Sequence, residues 1–197
     1  MKNFHHSTKL SESYTVLRYL SLEEKKDRIA ISNFIVERFE QRYLDPIEAD
    51  PAKKNGFTIM AVSCLMIESL ESFRRGWKDT NKRSKKAFES FFSHWHEFTE
   101  FRQVSNEFYK HVRCGILHQA ETTGGWRIIR SGPVRSKTTI NATKFSNSLR
   151  NVLRSYAFSL CTEDWESEVW VAFRKKMKFV CQNTMAPQQS NCAEYQK

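Results

Sequence analysis

The feature that most constrains the fold is an apolar segment between residues 56 and 76. Apolar residues recur there every three or four positions, which is the period of one helical face: Ile59, Val62, Met66, Leu70 and Phe73. Further apolar residues beside this face leave the helix with little polar surface. A helix that is apolar almost all round must be covered on most sides. We therefore expect a central helix with the other elements packed around it.

The flanking segments carry the partners that such a helix needs. Helical periods recur in the ranges 22–43, 85–98, 101–116, 142–160 and 165–180. Asp45-Pro46 and Asp50-Pro51 are expected to close the first of these helices. Asn141 is expected to cap the fourth, and Thr162 or Asp164 the last. Together with the central helix these patterns predict a helical bundle.

A short strand-like region interrupts the helical patterns. Gly124-Gly125 is expected to stop the helix that contains residue 116. Residues 126–130 and 138–141 flank Ser131-Gly132-Pro133, a combination typical of a small β-hairpin. The predicted fold class is therefore mainly all-α, with about five helices and a small β-hairpin inserted before the last two.

Length and composition favour one intracellular domain. The 197 residues fit a single domain, with residues 1–20 as a loosely packed arm and 184–197 as a loosely packed tail. Fifteen Phe and five Trp indicate a core filled by large rings. Five cysteines without paired spacing argue against a secreted disulfide framework. The N-terminus has no apolar signal core, and the apolar-rich stretch 57–67 is too short to span a bilayer. We expect a cytoplasmic protein with no membrane contact.

Positive charge points to a polyanionic partner, with nucleic acid preferred to an anionic membrane. The net charge is +10, and residues 74–86 hold seven cations and one acid. This segment is predicted to be an exposed loop. Its alternatives are a solvated link between helices or a patch that contacts RNA phosphates. The candidate RNA contacts are Arg74, Arg75, Lys82, Arg83, Lys85 and Lys86.

Two acidic residues of the central helix are conspicuous, because carboxylates near a core are costly unless they are paired or functional. Glu68 and Glu71 lie three positions apart on one face. Glu71 is expected at an exposed helix end, paired with Arg74 or Arg75. For Glu68 a structural pair and a functional role are equally plausible.

The familiar enzyme and metal motifs are missing. The chain has no glycine-rich phosphate loop, dinucleotide fingerprint, Cys-x-x-Cys pair or Gly-x-Ser-x-Gly elbow, so we expect no cofactor. Glu107, His111, Cys114 and His118 share a helical face, but they spread over about 16 Å along it. One ion cannot contact all four, and Glu68, His94 or His96 would have to supply the remaining ligands. A polar seam between helices is therefore favoured over a metal site.

Arg113 and His118 provide the chemistry for cutting RNA without a metal. Histidine transfers protons near neutral pH, and the arginine fork matches phosphate oxygens and stays charged. His118 would act as general acid or base, Arg113 would hold the scissile phosphate, and Glu68 would orient a catalytic group or tune His118. The structural alternatives are an Arg113–Glu68 salt bridge and a His118 that is hydrogen-bonded or ends a helix.

The Arg113-x-x-x-x-His118 spacing, late in a helical bundle and at a helix–loop junction, resembles the signature of HEPN domains. The resemblance covers roughly residues 56–179. HEPN domains are all-α and occur in prokaryotic toxins, antiphage systems and RNA-processing nucleases, and many are metal-independent endoribonucleases. The resemblance therefore implies an endoribonuclease in a toxin or phage-defence role, with an antitoxin or other regulatory protein as a further possible partner.

Two features bear on this implication. HEPN domains often have Asn, Asp or His directly after the arginine, whereas this chain has Cys114. This departure favours the alternative of a non-catalytic HEPN-like module that binds RNA or a protein. Residues five apart on a helix also point about 140° away from each other. Arg113 and His118 can converge only if the helix bends at Gly115, if the arginine curls round, or if two copies meet. HEPN nucleases typically form such composite sites, which implies a homodimer.

Overall fold

The computed structural model describes residues 7–49 and 55–183. Helices make up 70% of the structure, which confirms the mainly α-helical fold class. In the described ranges the α-helices are α1 (Val16–Glu24), α2 (Arg28–Phe39), α3 (Asp45–Glu48), α4 (Gly56–Arg75), α5 (Ser84–His94), α6 (Ser105–Phe108), α7 (Cys114–Gln119), α8 (Ala142–Thr162) and α9 (Glu168–Gln182).

The predicted central helix is α4, which packs against α5, α8 and α9. It ends where Gly76 takes the left-handed conformation, with φ of 63°. A Cβ atom at Gly76 would lie 3.0 Å from the backbone of Ala172, so α9 passes close to this helix end. Helix α4 is also long and apolar enough to cross a membrane, contrary to the expectation from residues 57–67. However, 61% of its apolar window is buried inside the fold, which is typical of a core helix.

The helices around α4 are more irregular than their sequence periods indicate. The first does not close at Asp45-Pro46 but passes through a π-helical turn, Glu40–Leu44, into α3. Pro46 has no N–H to donate to the preceding turn, and widened turns are one way in which helices accommodate such breaks. The helix predicted over 85–98 ends at His94, where a 3₁₀ segment (His96–Val104) begins. A second π-helical turn, Tyr109–Arg113, leads directly into α7.

The region predicted to form a β-hairpin is a three-stranded sheet, in which the two predicted segments do not pair as a hairpin. Its strands are β1 (Arg127–Ile129), β2 (Arg135–Ser136) and β3 (Thr139–Asn141), in the order β1-β3-β2. β2 and β3 are antiparallel, whereas β1 pairs parallel to β3. The two segments expected to form the hairpin are therefore parallel neighbours. Asn141 caps α8 as predicted, accepting a hydrogen bond from the Lys144 amide, but Ser167 rather than Thr162 or Asp164 precedes α9.

The N-terminal segment corrects the expectation of a loosely packed arm. Leu10, Tyr14, Val16 and Tyr19 are buried in the common core, so residues 10–20 are packed rather than loosely attached. Residues 1–6, the Asp50-Pro51 link and the predicted tail 184–197 lie outside the described residues.

Aromatic rings fill much of the core, as the composition predicts. One continuous cluster joins α5, the 3₁₀ segment, α6 and α8 through ring contacts with centroids 4.8–6.1 Å apart. Its members are Phe88, Phe91, Phe92, Phe98, Phe101, Phe108, Trp126 and Phe145. Because Phe108 is buried there, the π-helical turn that follows it is held in a fixed position beside α4.

Candidate functional site

The centre of the candidate site is an ion pair between the central helix and the motif arginine. Arg113 donates from Nε and Nη2 to one oxygen of Glu68, Oε1, at 2.9 Å each. The two side chains are only 18% and 11% exposed. Burial lowers the pKa of Arg113 and the Glu68 carboxylate raises it, with a net upward shift. The structural pair expected as one alternative is therefore present, and it fixes the direction of the guanidinium.

The other oxygen of Glu68 holds two residues in the second half of the basic segment. Thr80 Oγ1 and Ser84 Oγ donate to Glu68 Oε2 at 2.6 and 2.9 Å. One carboxylate thus connects α4, Arg113 and the 80–84 loop. Glu68 positions Arg113, and in the part of the chain that the structure describes it makes no hydrogen bond or ion pair with His118.

Tyr109 and Cys114 complete the surroundings of Arg113. The guanidinium carbon lies 5.6 Å from the centre of the Tyr109 ring, close enough for a cation–π interaction. Burial raises the pKa of Tyr109, and a hydrogen bond with the Cys114 thiol raises it further. Cys114 therefore lies beside both Tyr109 and Arg113, since its thiol contributes to the upward pKa shift of each.

Helix α7 does not bend at Gly115. It runs unbroken from Cys114 to Gln119, and Ala120 ends it in the left-handed conformation with φ of 53°. The end thus comes before the predicted stop at Gly124-Gly125. The chain then turns back over Gly115, where a Cβ atom would lie 2.5 Å from the Glu121 carbonyl oxygen. Gly115 is needed for this close approach rather than for a kink.

His118 consequently points away from Arg113. It is exposed, and within residues 7–49 and 55–183 no hydrogen bond or ion pair holds its ring. The straight helix keeps the two side chains about 140° apart around its axis. One chain therefore does not bring Arg113 and His118 together, and the hydrogen-bonded histidine considered as an alternative is not observed.

Two exposed leucines lie one helical turn from the residues of the ion pair, one on α4 and one on α7. Leu65 lies one turn before Glu68 on α4 and is 56% exposed. Leu117 lies one turn after Arg113 on α7 and is 57% exposed. Both are large apolar groups in contact with solvent beside a charged pair that is mostly buried.

Two of the six candidate RNA contacts are engaged within the fold. Arg74 belongs to α4 and donates to both oxygens of Glu71, at 2.9 and 2.6 Å, with a side chain that is 15% exposed. Arg75 also pairs with Glu71. Glu71 is fully buried rather than at an exposed helix end, although its predicted pairing is confirmed. The exposed loop therefore begins after Arg75.

The other four cations remain at the surface. Lys82, Arg83, Lys85 and Lys86 are exposed, and α5 begins at Ser84 in their midst. Lys85 and Tyr109 line a common cavity of about 280 Å³. The basic segment therefore reaches the π-helical turn that carries Arg113.

His111, which was expected to belong to a polar seam between packed helices, has a different partner. His111 Nδ1 bonds Thr123 Oγ1 at 2.9 Å, and its ring packs directly against Gly124. His111 thus secures the returning loop rather than a helix–helix seam. Among the residues that the structure describes, no three His, Cys, Asp or Glu side chains converge as a metal site would require.

Sequence patterns gave no indication of Thr80 or Ser84. Thr80 and Ser84 lie twelve and sixteen positions after Glu68, and no local period connects them. For Tyr109 a signal did exist: it lies four positions before Arg113, a spacing that places side chains side by side on a helix. No protein-family model, curated protein or solved structure matches this chain.

Proposed function

We propose that this protein is a metal-independent endoribonuclease of HEPN type that acts as a homodimer in the cytoplasm, in a toxin or phage-defence role. The observation that carries the proposal is the double role of Glu68, which holds Arg113 with one oxygen and Thr80 and Ser84 of the basic segment with the other. Glu68 thereby connects Arg113, which would bind the phosphate, to the segment whose cations would bind the neighbouring phosphates.

Arg113 has donors left for a phosphate. Two of its five N–H groups point to Glu68, and its side chain is partly exposed. A bound phosphodiester would receive charge-assisted hydrogen bonds from the remaining donors, which strengthen as charge develops on its oxygens. The neighbouring phosphates would lie along Lys82, Arg83, Lys85 and Lys86.

The histidines would supply proton transfer. In RNA cleavage without metal, the ribose 2′-hydroxyl loses its proton and attacks phosphorus. The bond to the 5′-oxygen breaks, and that oxygen gains a proton. The products are a 2′,3′-cyclic phosphate and a 5′-hydroxyl end. One neutral His118 would accept the first proton, and a protonated His118 would donate the second.

A second copy of the chain would bring these groups together. Arg113 and His118 diverge on one helix, and the exposed Leu65 and Leu117 flank the ion pair. Covering these leucines with the same surface of a second protomer would bury apolar area and place two α7 helices side by side. Each phosphate would then bind Arg113 of one chain and lie close to His118 of that chain or of its partner.

The second candidate function is a non-catalytic module that binds RNA or a protein partner such as an antitoxin. Cys114 favours it, because the thiol stands where HEPN domains often have Asn, Asp or His. In that case Arg113 and the basic segment would bind RNA, and His118 would be dispensable.

Binding and cleavage measurements on matched variants separate the two functions. RNA binding is measured by fluorescence anisotropy at two salt concentrations for wild type, Arg113→Ala and His118→Ala. Arg154→Ala and His96→Ala are the controls, because both residues are exposed and lie outside the site. The nuclease predicts that His118→Ala binds RNA as wild type does but does not cut it. Cutting by His118→Ala at the wild-type rate would eliminate the proposed role of the histidine.

A further inference from the structure

A second cleft lies at the opposite end of α4 from its start at Gly56. It has a volume of about 580 Å³, within the range of small-molecule sites. The ends of α4 and α5, one side of α8 and the start of α9 form its walls. Its lining includes Arg74, Arg75, His94, Trp95, Tyr156 and Ser167. None of Glu68, Arg113 or His118 lines it, so it is separate from the candidate site.

Positive charge is built into one wall of this cleft. Arg74 and Arg75 both pair with the fully buried Glu71, and both donate to Ser90 Oγ, at 2.9 and 3.1 Å. Two guanidinium groups against one carboxylate leave a net charge of +1. The Arg75 side chain is 46% exposed and retains free N–H donors. It therefore offers a fixed, partly desolvated cation to a ligand in the cleft.

Three polar groups in the lining residues have no hydrogen-bond partner within the described residues. They are Trp95 Nε1, Tyr156 Oη and Ser167 Oγ. Trp95 and Tyr156 are only 8% and 1% exposed. Buried polar groups are nearly always paired, so these three groups leave hydrogen-bonding capacity beside the cleft that the described residues do not use.

The start of α9 adds to this wall. Ser167 precedes the 15-residue helix, but its side chain makes no capping hydrogen bond to the first-turn amides. These amides and the helix dipole favour an anion. Arg75 and the residues of this first turn, which include Glu168, line the same cleft.

The cleft also carries negative charge, which narrows the class of ligand. Glu163 and Glu168 line it and are exposed. They would repel a ligand that is anionic throughout, but carboxylates accept hydrogen bonds from hydroxyl groups. We propose that the cleft binds a phosphorylated sugar or polyol, with the phosphate on Arg75 and the start of α9 and the hydroxyls on Glu163 and Glu168. This site is independent of RNA cleavage.

Calorimetric titration of the whole chain with ribose 5-phosphate, inorganic phosphate and ribose tests this proposal. Ribose 5-phosphate is expected to bind at least tenfold more tightly than either of the others. Arg75→Gln is expected to weaken its binding at least tenfold. Arg154→Gln, which removes the same charge from an exposed position that does not line the cleft, is expected to leave it unchanged.

A second variant tests the acidic wall without touching the buried ion pairs. The double substitution Glu163→Gln and Glu168→Gln is expected to weaken ribose 5-phosphate at least threefold and to leave inorganic phosphate binding equal or stronger. Any of three results would overturn the proposal: no binding of ribose 5-phosphate at millimolar concentration, equal binding of inorganic phosphate, or unchanged binding by folded Arg75→Gln. None of these results depends on whether the protein cuts RNA.

Discussion

Removing the Glu68 carboxylate should destabilise the protein, because this one group satisfies Arg113 and two hydroxyls. Four hydrogen bonds end on it, with lengths of 2.6–2.9 Å. Leaving a buried charge without its partner costs about 3–5 kcal/mol, whereas an exposed pair contributes about 1 kcal/mol or less. Since the Arg113 side chain keeps 18% of its exposure, we expect Glu68→Ala to cost about 3 kcal/mol.

Further variants separate the contribution of the Glu68 charge to stability from that of its hydrogen-bonding shape. Glu68→Gln can still accept from the hydroxyls but does not neutralise Arg113, so we expect a loss of about 1.5 kcal/mol. Arg113→Ala leaves the carboxylate with its two hydroxyl donors, and the double variant Glu68→Ala/Arg113→Ala leaves no uncompensated charge. The sum of the two single-variant losses in unfolding free energy should therefore exceed the loss in the double variant by about 1–2 kcal/mol.

Urea unfolding followed by far-UV circular dichroism measures these free energies of unfolding. The cycle needs equal m-values for all four proteins, so that only stability differs. A Glu68→Ala loss below about 0.5 kcal/mol, or losses that simply add, would refute the account of Glu68 as the group that positions Arg113.

Three other substitutions test the framework around the two sites. Gly115→Ala should lower the free energy of unfolding by about 2 kcal/mol or more, because its Cβ atom would lie 2.5 Å from the Glu121 carbonyl oxygen. A thermal melt equal to that of the wild type would contradict this close approach. Asn141→Ala should cost about 1–2 kcal/mol in urea unfolding, because the side chain caps α8 and also donates to the Gly132 carbonyl. Burial, then the charge of a nearby guanidinium, lowers the pKa of His94, so NMR titration should find it below its usual value. The stability that neutral His94 contributes is present above the unfolded-state pKa of about 6.5 and is lost as pH falls through the folded-state pKa. His94→Gln should therefore make the free energy of unfolding depend less on pH in this range.

The parts of the fold that local patterns specify were predictable. The apolar period placed α4, Gly76 ended it, and Asn141 capped α8. The parts that depend on distant contacts were not. Nothing local distinguishes residues 10–20 as packed, and nothing local shows that β3 lies at the centre of the sheet with β1 parallel to it.

In the candidate site, too, only part of the arrangement was predictable from the sequence. The Arg113–Glu68 pair was one of two alternatives, because a buried carboxylate needs a cation and the motif arginine was available. Charge alone could not show that Arg74 and Arg75 are committed to Glu71, since that depends on the depth of α4 in the core. The hydroxyls of Thr80 and Ser84 reach Glu68 only because the loop folds back over the helix.

Cleavage of RNA in the presence of a chelator decides between a metal-independent nuclease and a binding module. The wild-type protein is expected to produce fragments with 2′,3′-cyclic phosphate and 5′-hydroxyl ends. Arg113→Ala and His118→Ala should abolish the cleavage, while His96→Ala should cut at the wild-type rate. Intact RNA after incubation with folded wild-type protein that binds it would contradict the nuclease and leave a binding module.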